Sequence, residues 1–308
     1  MTSTLDETEQ LASPPAFQQV SAGRKAKNTL ATILVWLSFL IAVAPLIWVL
    51  YTVIANGIKR IPYTNWWSQD FGFVLSDEVG GGVLHAIIGT LEQGLMCAII
   101  AVPLGLLVAV YLVEYGRNGR LARITTFMVD ILSGVPSIVA ALFIYALWVT
   151  TFGLPRNGFA VALALVLLMI PVVVRSAEEM LRIVPDDLRE ASYALGVPKW
   201  KTIMKVVLPT ALSGIISGVM MALARVMGET APLLVLVGYS AYVNWDLFSG
   251  NQASLPLLMN IERATNSMEP GSVGFDRIWG AALTLVLIIA IINLLATVVS
   301  RLVAPKKK

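Results

Sequence analysis

Four ionisable side chains, Glu92, Asp130, Arg225 and Glu229, stand inside or beside long stretches that carry no charge. Each costs roughly 2.5–3.5 kcal/mol near the centre of an apolar span, so each must be paired or must face water. Arg225 and Glu229 are four residues apart, which puts them on one helical face where they can neutralise each other. They can equally line the path of an ion. Pro232 cannot donate to the carbonyl of Gly228, and this predicts a kink beside both charges. Helices broken in lipid are tolerated where the freed groups face protein or a wet cavity. A planar guanidinium on such a path matches a tetrahedral oxyanion with two parallel hydrogen bonds. Arg175 and Glu178, three apart where a span leaves the membrane, read either as an exposed helix-end pair or as part of such a path. Asp130 reads as a cap of its own helix after Thr125 and Thr126, or as a pathway group. His85 and Glu92 read as local pairs near the outer face, or as pathway groups.

The elements that must carry these groups follow from hydropathy. The chain is 57% hydrophobic and only 13% charged over 308 residues, about half the charge of an ordinary soluble domain. So little polar surface cannot cover a water-exposed globule, and lipid is the solvent for most of the chain. About 20 apolar residues cross a 30 Å hydrocarbon core. Charge-free runs of that order cover 28–58, 93–113, 131–155, 157–174, 206–224 and 278–300, which predicts an all-α protein of six transmembrane helices. The first run is too long for a cleavable leader and is expected to be retained. The fifth is expected to continue past Arg225 and Glu229 to about Ser240, too long to cross the membrane straight. Residues 1–27 read as a disordered polar tail, 28–82 as the first span with an outer loop, 83–302 as the main membrane domain and 303–308 as a basic tail. Cys97, the one cysteine, lies in an apolar run and reads as a small packing residue.

Of the 22 lysines and arginines, sixteen fall on the side of the N-terminus, five on the other side and Arg225 within a span. The positive-inside rule therefore places both termini in the cytoplasm and explains the basic pI without nucleic acid. Two longer connections, about 57–82 and 241–276, then lie outside. Their Trp66, Trp67, Trp245, Phe248 and Pro256 suit interfacial anchoring or contact with an external partner.

Between the fourth and fifth spans the cytoplasmic loop 183–209 reads as helix, turn, helix. Pro185 opens the first helix and Asp186 and Asp187 suit its positive end. Gly196 fits the left-handed position that closes it, and Pro198 starts the next. Ala191, Ser192, Ala194 and Leu195 make a face of small and apolar residues that lets another surface approach. A two-helix knuckle without a core of its own needs a partner.

At these residues the chain resembles the permeases of ABC importers, whose signature is Glu-Ala-Ala, three residues, Gly, nine residues, Ile, any residue, Leu-Pro. Glu190, Ala191, Gly196, Leu208 and Pro209 fall at that spacing, with Ser192 for the second Ala and Val206 for the Ile. The resemblance implies a type I importer permease fold with a knuckle that docks in a groove of an ATPase subunit. Gly228-Glu-Thr-Ala-Pro-Leu233 and Asp130-Ile-Leu-Ser-Gly-Val-Pro-Ser-Ile138 resemble, more narrowly, the phosphate-specific members, over most of residues 83–300. That narrower resemblance implies Arg225, Glu229, Thr230, Arg175, Glu178 and Asp130 as pathway residues. It also implies a prokaryotic plasma membrane location, and as partners a homologous permease, two copies of an ATPase and an extracytoplasmic phosphate-binding protein. Glu229 is expected to accept a hydrogen bond from the proton that phosphate retains and sulfate lacks.

No phosphate-cradling Gly-x-x-x-x-Gly-Lys-Ser/Thr loop occurs, so the chain is not expected to bind ATP in that way. It is read as a non-enzyme, with no catalytic group, metal or cofactor. A secondary transporter would show inverted repeats and paired broken helices, whereas one break and no repeat are expected here. Sulfate, molybdate or tungstate are the alternative cargoes.

Overall fold

The computed structural model describes residues 22–75, 78–116 and 119–303. Two compact units divide at residue 52. The first contains most of helix α1 (Ala22–Gly57). Leu34, Val35, Trp36 and Leu37, successive residues that face different sides of it, are all exposed, as expected of a span that is apolar all round. The helix starts at Ala22, so Arg24, Lys25 and Lys27 ride on it and not on a tail ending at residue 27. The tail calls for 1–21 and 304–308 lie outside the described residues.

The second unit holds the remaining helices. They are α2 (Thr64–Ser68), α3 (Leu84–Val110), α4 (Arg120–Ser133), α5 (Ser137–Ile144), α6 (Gly158–Ile183), α7 (Asp186–Ala194), α8 (Lys199–Thr202), α9 (Leu208–Met227), α10 (Ala231–Leu236), α11 (Leu255–Thr265) and α12 (Val273–Val303). Three π-helical turns extend the series, Tyr111–Tyr115 after α3, Tyr145–Thr151 after α5 and Ile203–Val207 before α9. Among the described residues, five helices are long and apolar enough to cross a membrane, and Arg120–Ser133 with Ser137–Thr151 passes the same test as a pair bent by 105°, which makes six if the pair counts as one span. Six spans were expected, and the bend was not.

The physical cause of the bend is legible. Gly134 caps α4 by donating to the carbonyls of Ile131 and Leu132. Val135 precedes a proline, which disfavours helical backbone, and Pro136 is extended with no N–H to give. A second break separates α9 from α10. The helix stops at Met227, the Gly228 N–H turns back to Arg225 O at 3.2 Å, and α10 restarts at Ala231. Pro232 sits in the first turn of α10, where a missing N–H goes unmissed. The expectation of a kinked helix running to Ser240 is thus corrected: the chain unwinds from Gly228, four residues before its proline.

The core is built by α3, α6 and α9, with α5, α10 and α11 closing over it. Cys97, Ala101, Val161, Leu165, Met169, Ala222 and Leu236 are buried together there. Cys97 lies against Met169, Sγ to Sδ 3.5 Å, as a packing residue. Small residues let α6 and α9 come close. A Cβ on Gly214 or Gly218 would fall 2.1 Å from Met180 Sδ or 1.5 Å from Ser176 Oγ. This is the small-residue packing of helices in lipid.

The two longer connections are part of the fold. Trp66 is 1% exposed and donates to Thr284 Oγ1 at 3.0 Å, so it is a core residue and not an interfacial anchor. Trp67 donates to Ile61 O at 2.9 Å. Trp245 and Phe248 are exposed. The stretch read as a second loop contains α11, whose Leu255, Pro256, Leu257 and Leu258 are buried.

Candidate functional site

Helix α4 brings Asp130 to its last turn, just before the bend. Helix α6 brings Arg175, Glu178 and Arg182 to one face at intervals of three and four. Arg175 Nη1 donates to Glu178 Oε2 at 2.9 Å, and Arg182 Nη2 donates to Glu178 Oε1 at 2.7 Å. The other arm of the Arg175 fork pairs with Asp130. Four alternating charges therefore form one chain that sums to zero. Glu178 is the fixed member, its side chain 8% exposed and both oxygens occupied. Asp130 is the open member, 57% exposed. It is neither a cap nor alone, and Arg175 and Glu178 are not a free helix-end pair.

Arg175 also lines a groove of about 520 Å³ between α6 and α9. Ser133, Ser176, Ser217 and Glu179 supply its polar walls, and Pro171 and Met221 its apolar ones. The arrangement offers a guanidinium whose two arms are held by carboxylates, beside a mainly apolar groove that three serine hydroxyls and Glu179 also line. Chemically this is a place for an oxyanion that can replace one carboxylate.

Arg225 lies one turn beyond Met221 on α9 and is exposed. Glu229 and Thr230 fall in the unwound link before α10, half-buried. Among the described residues no ion pair joins Arg225 to Glu229. The helical register that would have paired them ends at Met227, which corrects that expectation. The structure does not bring Arg225, Glu229 and Thr230 together with the Asp130–Arg182 chain. His85 and Glu92 do not pair with each other either. His85 Nε2 lies 3.3 Å from the Tyr239 hydroxyl, while Glu92 accepts from Gln252 Nε2 at 2.5 Å and Gln93 donates to Gln252 Oε1 at 2.9 Å.

The knuckle is a helix, turn and helix as expected. Asp186 and Asp187 lie in the first turn of α7, and Gly196 closes it at φ +76° with Val197 and Pro198 leading into α8. Glu190, Ala191, Leu195 and Trp200 are exposed, Leu195 by 83% and Trp200 by 63%. Leu208 and Pro209 open α9. Ser192, expected on the outer face, points inward instead. Its hydroxyl lies 2.8 Å from Thr202 Oγ1, both buried, so it stitches α7 to α8.

Sequence reasoning passed over one group. Glu114, at the end of the turn that follows α3, is 5% exposed and accepts from Arg189 Nε at 3.1 Å. The signal was present, a carboxylate one residue beyond a charge-free span, where burial demands a cation. Among the described residues no group of three or more His, Cys, Asp or Glu is placed to hold a metal ion.

A bundle of membrane-crossing helices, with two broken segments and an exposed two-helix knuckle, defines the class as a transporter permease. Solved structures of such fold are similar to it. A permease chain of a bacterial alginate ABC transporter aligns with TM-score 0.61 at 13% identity, over 93% of this chain and 99% of that one. A chain of the inward-facing MetNI methionine ABC transporter aligns with TM-score 0.56 at 21% identity, over 73% and 95%. The chain belongs to the family of binding-protein-dependent transport system inner membrane components, which matches residues 101–308. It is a multi-pass inner-membrane translocation subunit. Its relatives include the phosphate transport system permease protein PstA 1 of Mycobacterium tuberculosis (strain CDC 1551 / Oshkosh), 54% identical over 99% of this chain and 98% of that protein. PstA of Mycobacterium leprae (strain TN) is 56% identical over 94% of each chain. PstA of Yersinia pestis is 36% identical over 90% and 91%.

Proposed function

We propose that this chain is the permease subunit through which an ATP-driven importer carries inorganic phosphate into the cell by alternating access. The observation that carries the reading is Arg175, a guanidinium that lines a groove between α6 and α9 and is held there by an exposed Asp130. Phosphate takes the place of Asp130 on the arm that this carboxylate now holds, while Glu178 keeps the other arm in position. Near full-length identity to proteins named phosphate transport permeases supports phosphate over other tetrahedral oxyanions.

In this reading residues 83–302 form the permease domain, with both termini cytoplasmic. A homologous permease completes the pathway, and an extracytoplasmic phosphate-binding protein delivers the ion to the outer mouth. Two copies of an ATPase subunit grip the 183–209 knuckle of each permease and hydrolyse the ATP. Glu190, Ala191, Leu195 and Trp200 form the docking face, Ser192 and Gly196 hold its shape, and Leu208–Pro209 pass motion to α9. Arg225, Glu229 and Thr230, set on the unwound link, serve as a further station of the path. Glu229 discriminates there by accepting the proton of phosphate.

The test is ATP-dependent uptake of labelled phosphate by the reconstituted complex, with sulfate, molybdate and tungstate as competitors. Arg175→Lys keeps the charge and loses the fork, and uptake is expected to fall about 10-fold to 100-fold, the worth of one or two charged hydrogen bonds. Full uptake by that variant, or equal competition by sulfate, would overturn the reading.

A further inference from the structure

The knuckle is joined through the chain to two spans, α6 before it and α9 after it. A third connection is made by side chains. Arg189, in the middle of α7, donates from Nε to Glu114 Oε1 at 3.1 Å, and its Nη2 lies 3.0 Å from the same oxygen as an ion pair. The same guanidinium donates to the carbonyls of Val184 at 2.6 Å and Leu181 at 3.0 Å, and to Asp186 Oδ1 at 3.0 Å. The carbonyl of Leu181 belongs to the last turn of α6, where helical partners run out, and that of Val184 lies just past its end. Arg189 is therefore the meeting point of α3, α6 and α7.

The other arm of the knuckle reaches the same place. Lys199, the first residue of α8, donates through Nζ to the main-chain carbonyl of Glu114. Its ammonium also lies over the Tyr115 ring, 4.8 Å from the centroid. Arg189 thus holds residue 114 and Lys199 holds residues 114 and 115, and the ion pair itself is largely shielded, with the Glu114 side chain 5% exposed and that of Arg189 12%. An ion pair so far from water is costly to open, because either charge alone would be left buried. The segment it grips is a π-helical turn, Tyr111–Tyr115, a departure from α-geometry that is frequent at functional sites.

We infer that Glu114 and Arg189, with Lys199, are positioning residues that clamp the knuckle to the end of α3, so that a pull on the knuckle moves three spans as one body. This rests on the importer reading above and adds to it the route by which force reaches α3. That span packs along α6 in the core, with a Cβ on Gly105 falling 2.7 Å from Val173 Cγ1. Without the clamp α3 would follow the knuckle only through those apolar contacts, which let helices slide. With it, the turn of α7 that carries the docking face and the end of α3 cannot part.

The decisive measurement is phosphate imported per ATP hydrolysed, in proteoliposomes containing the whole complex. Absence of ATP-dependent phosphate uptake by the wild-type complex would defeat the importer reading, whatever the clamp does. Given wild-type uptake, the double variant Glu114→Gln with Arg189→Gln removes the pair without leaving a lone buried charge. It is expected to assemble with the ATPase and to hydrolyse ATP, while phosphate per ATP falls by about fivefold or more, the lower end of ordinary coupling between sites. Arg189→Lys, which keeps a cation facing Glu114, should recover most of the ratio. A purely structural role would lower hydrolysis and uptake together and leave the ratio unchanged, and that result overturns the inference. If the double variant does not assemble, Lys199→Met, which loosens only the α8 arm, is measured in its place, and an unchanged ratio there overturns it equally.

Discussion

Replacing Gly218 by alanine tests how α6 and α9 are held at the groove. The added methyl would stand 1.5 Å from Ser176 Oγ and 2.5 Å from Ser176 Cβ. Rotation about χ1 can carry the hydroxyl away, but the Cβ is fixed by the backbone of α6. Ordinary contact begins at 3.4 Å, so the two helices must part by about 0.9 Å at this level. Overpacking of that kind costs about 1–3 kcal/mol, which for a chain of this size lowers the unfolding midpoint by about 2–10 °C. Gly214→Ala should cost less, since it meets Met180, whose flexible thioether can move aside. Thermal unfolding of the purified chain in detergent reads the difference. The control is the pair Gly218→Ala with Ser176→Gly, which removes both obstructing atoms and should return the midpoint close to that of Ser176→Gly alone, a coupling of about 1–3 kcal/mol. An unchanged midpoint in the single variant, or an equally low one in the pair, would refute the close approach of these helices.

Two further outcomes concern the part of the second unit around α11. Gly89→Ala places a methyl 1.9 Å from the carbonyl oxygen of Ala253, a backbone atom that cannot rotate away. A loss of about 3 kcal/mol is expected, seen as a lowered unfolding midpoint, and full stability would show that the 253 segment does not lie where described. Burial pushes the Glu262 carboxyl above its ordinary 4.5, with Arg277 and the Asn266 amide pulling back. The native state then holds this proton more tightly than the unfolded chain does, so the stability it contributes is present below pH 4.5 and is lost as pH rises through the interval above. Glu262→Gln should flatten the midpoint against pH in that interval, and an unaltered slope would count against the burial.

The spans were legible because a charge-free run of 20 residues leaves a helix in lipid few alternatives. The knuckle was legible because Asp186, Gly196 and Pro198 each answer a local backbone need that does not depend on the rest of the fold. The bend at 134–136 was hidden. Hydropathy is blind to direction, and Gly134-Val135-Pro136 sits inside an apolar run that continues on either side. Trp66 was misplaced for a related reason, since an aromatic ring near a span end suits the interface and the core alike, and only Thr284, 218 residues away, decides. Ser192 looked like a mild substitute for alanine because its partner Thr202 lies beyond the turn. Pairings such as Asp130 with Arg175 and Glu114 with Arg189 join different helices, and helical spacing says nothing about them. Helical spacing did place Arg225 and Glu229 together, wrongly, because the helix ends between them.

If the alternating quartet of Asp130, Arg175, Glu178 and Arg182 meets the cargo as proposed, it sets a limit on how tightly that cargo can be held. An uncompensated arginine in a low-dielectric passage would keep an anion for long periods, and an inside-negative voltage would resist its release inward. In the proposed cycle the visiting ion exchanges with a carboxylate of the same sign, so arrival and departure would differ little in free energy. Residence would be brief, and the passage itself would favour neither direction. In the proposed cycle the one-way character of transport must therefore come from the order in which nucleotide opens each side, with the path acting as a level road.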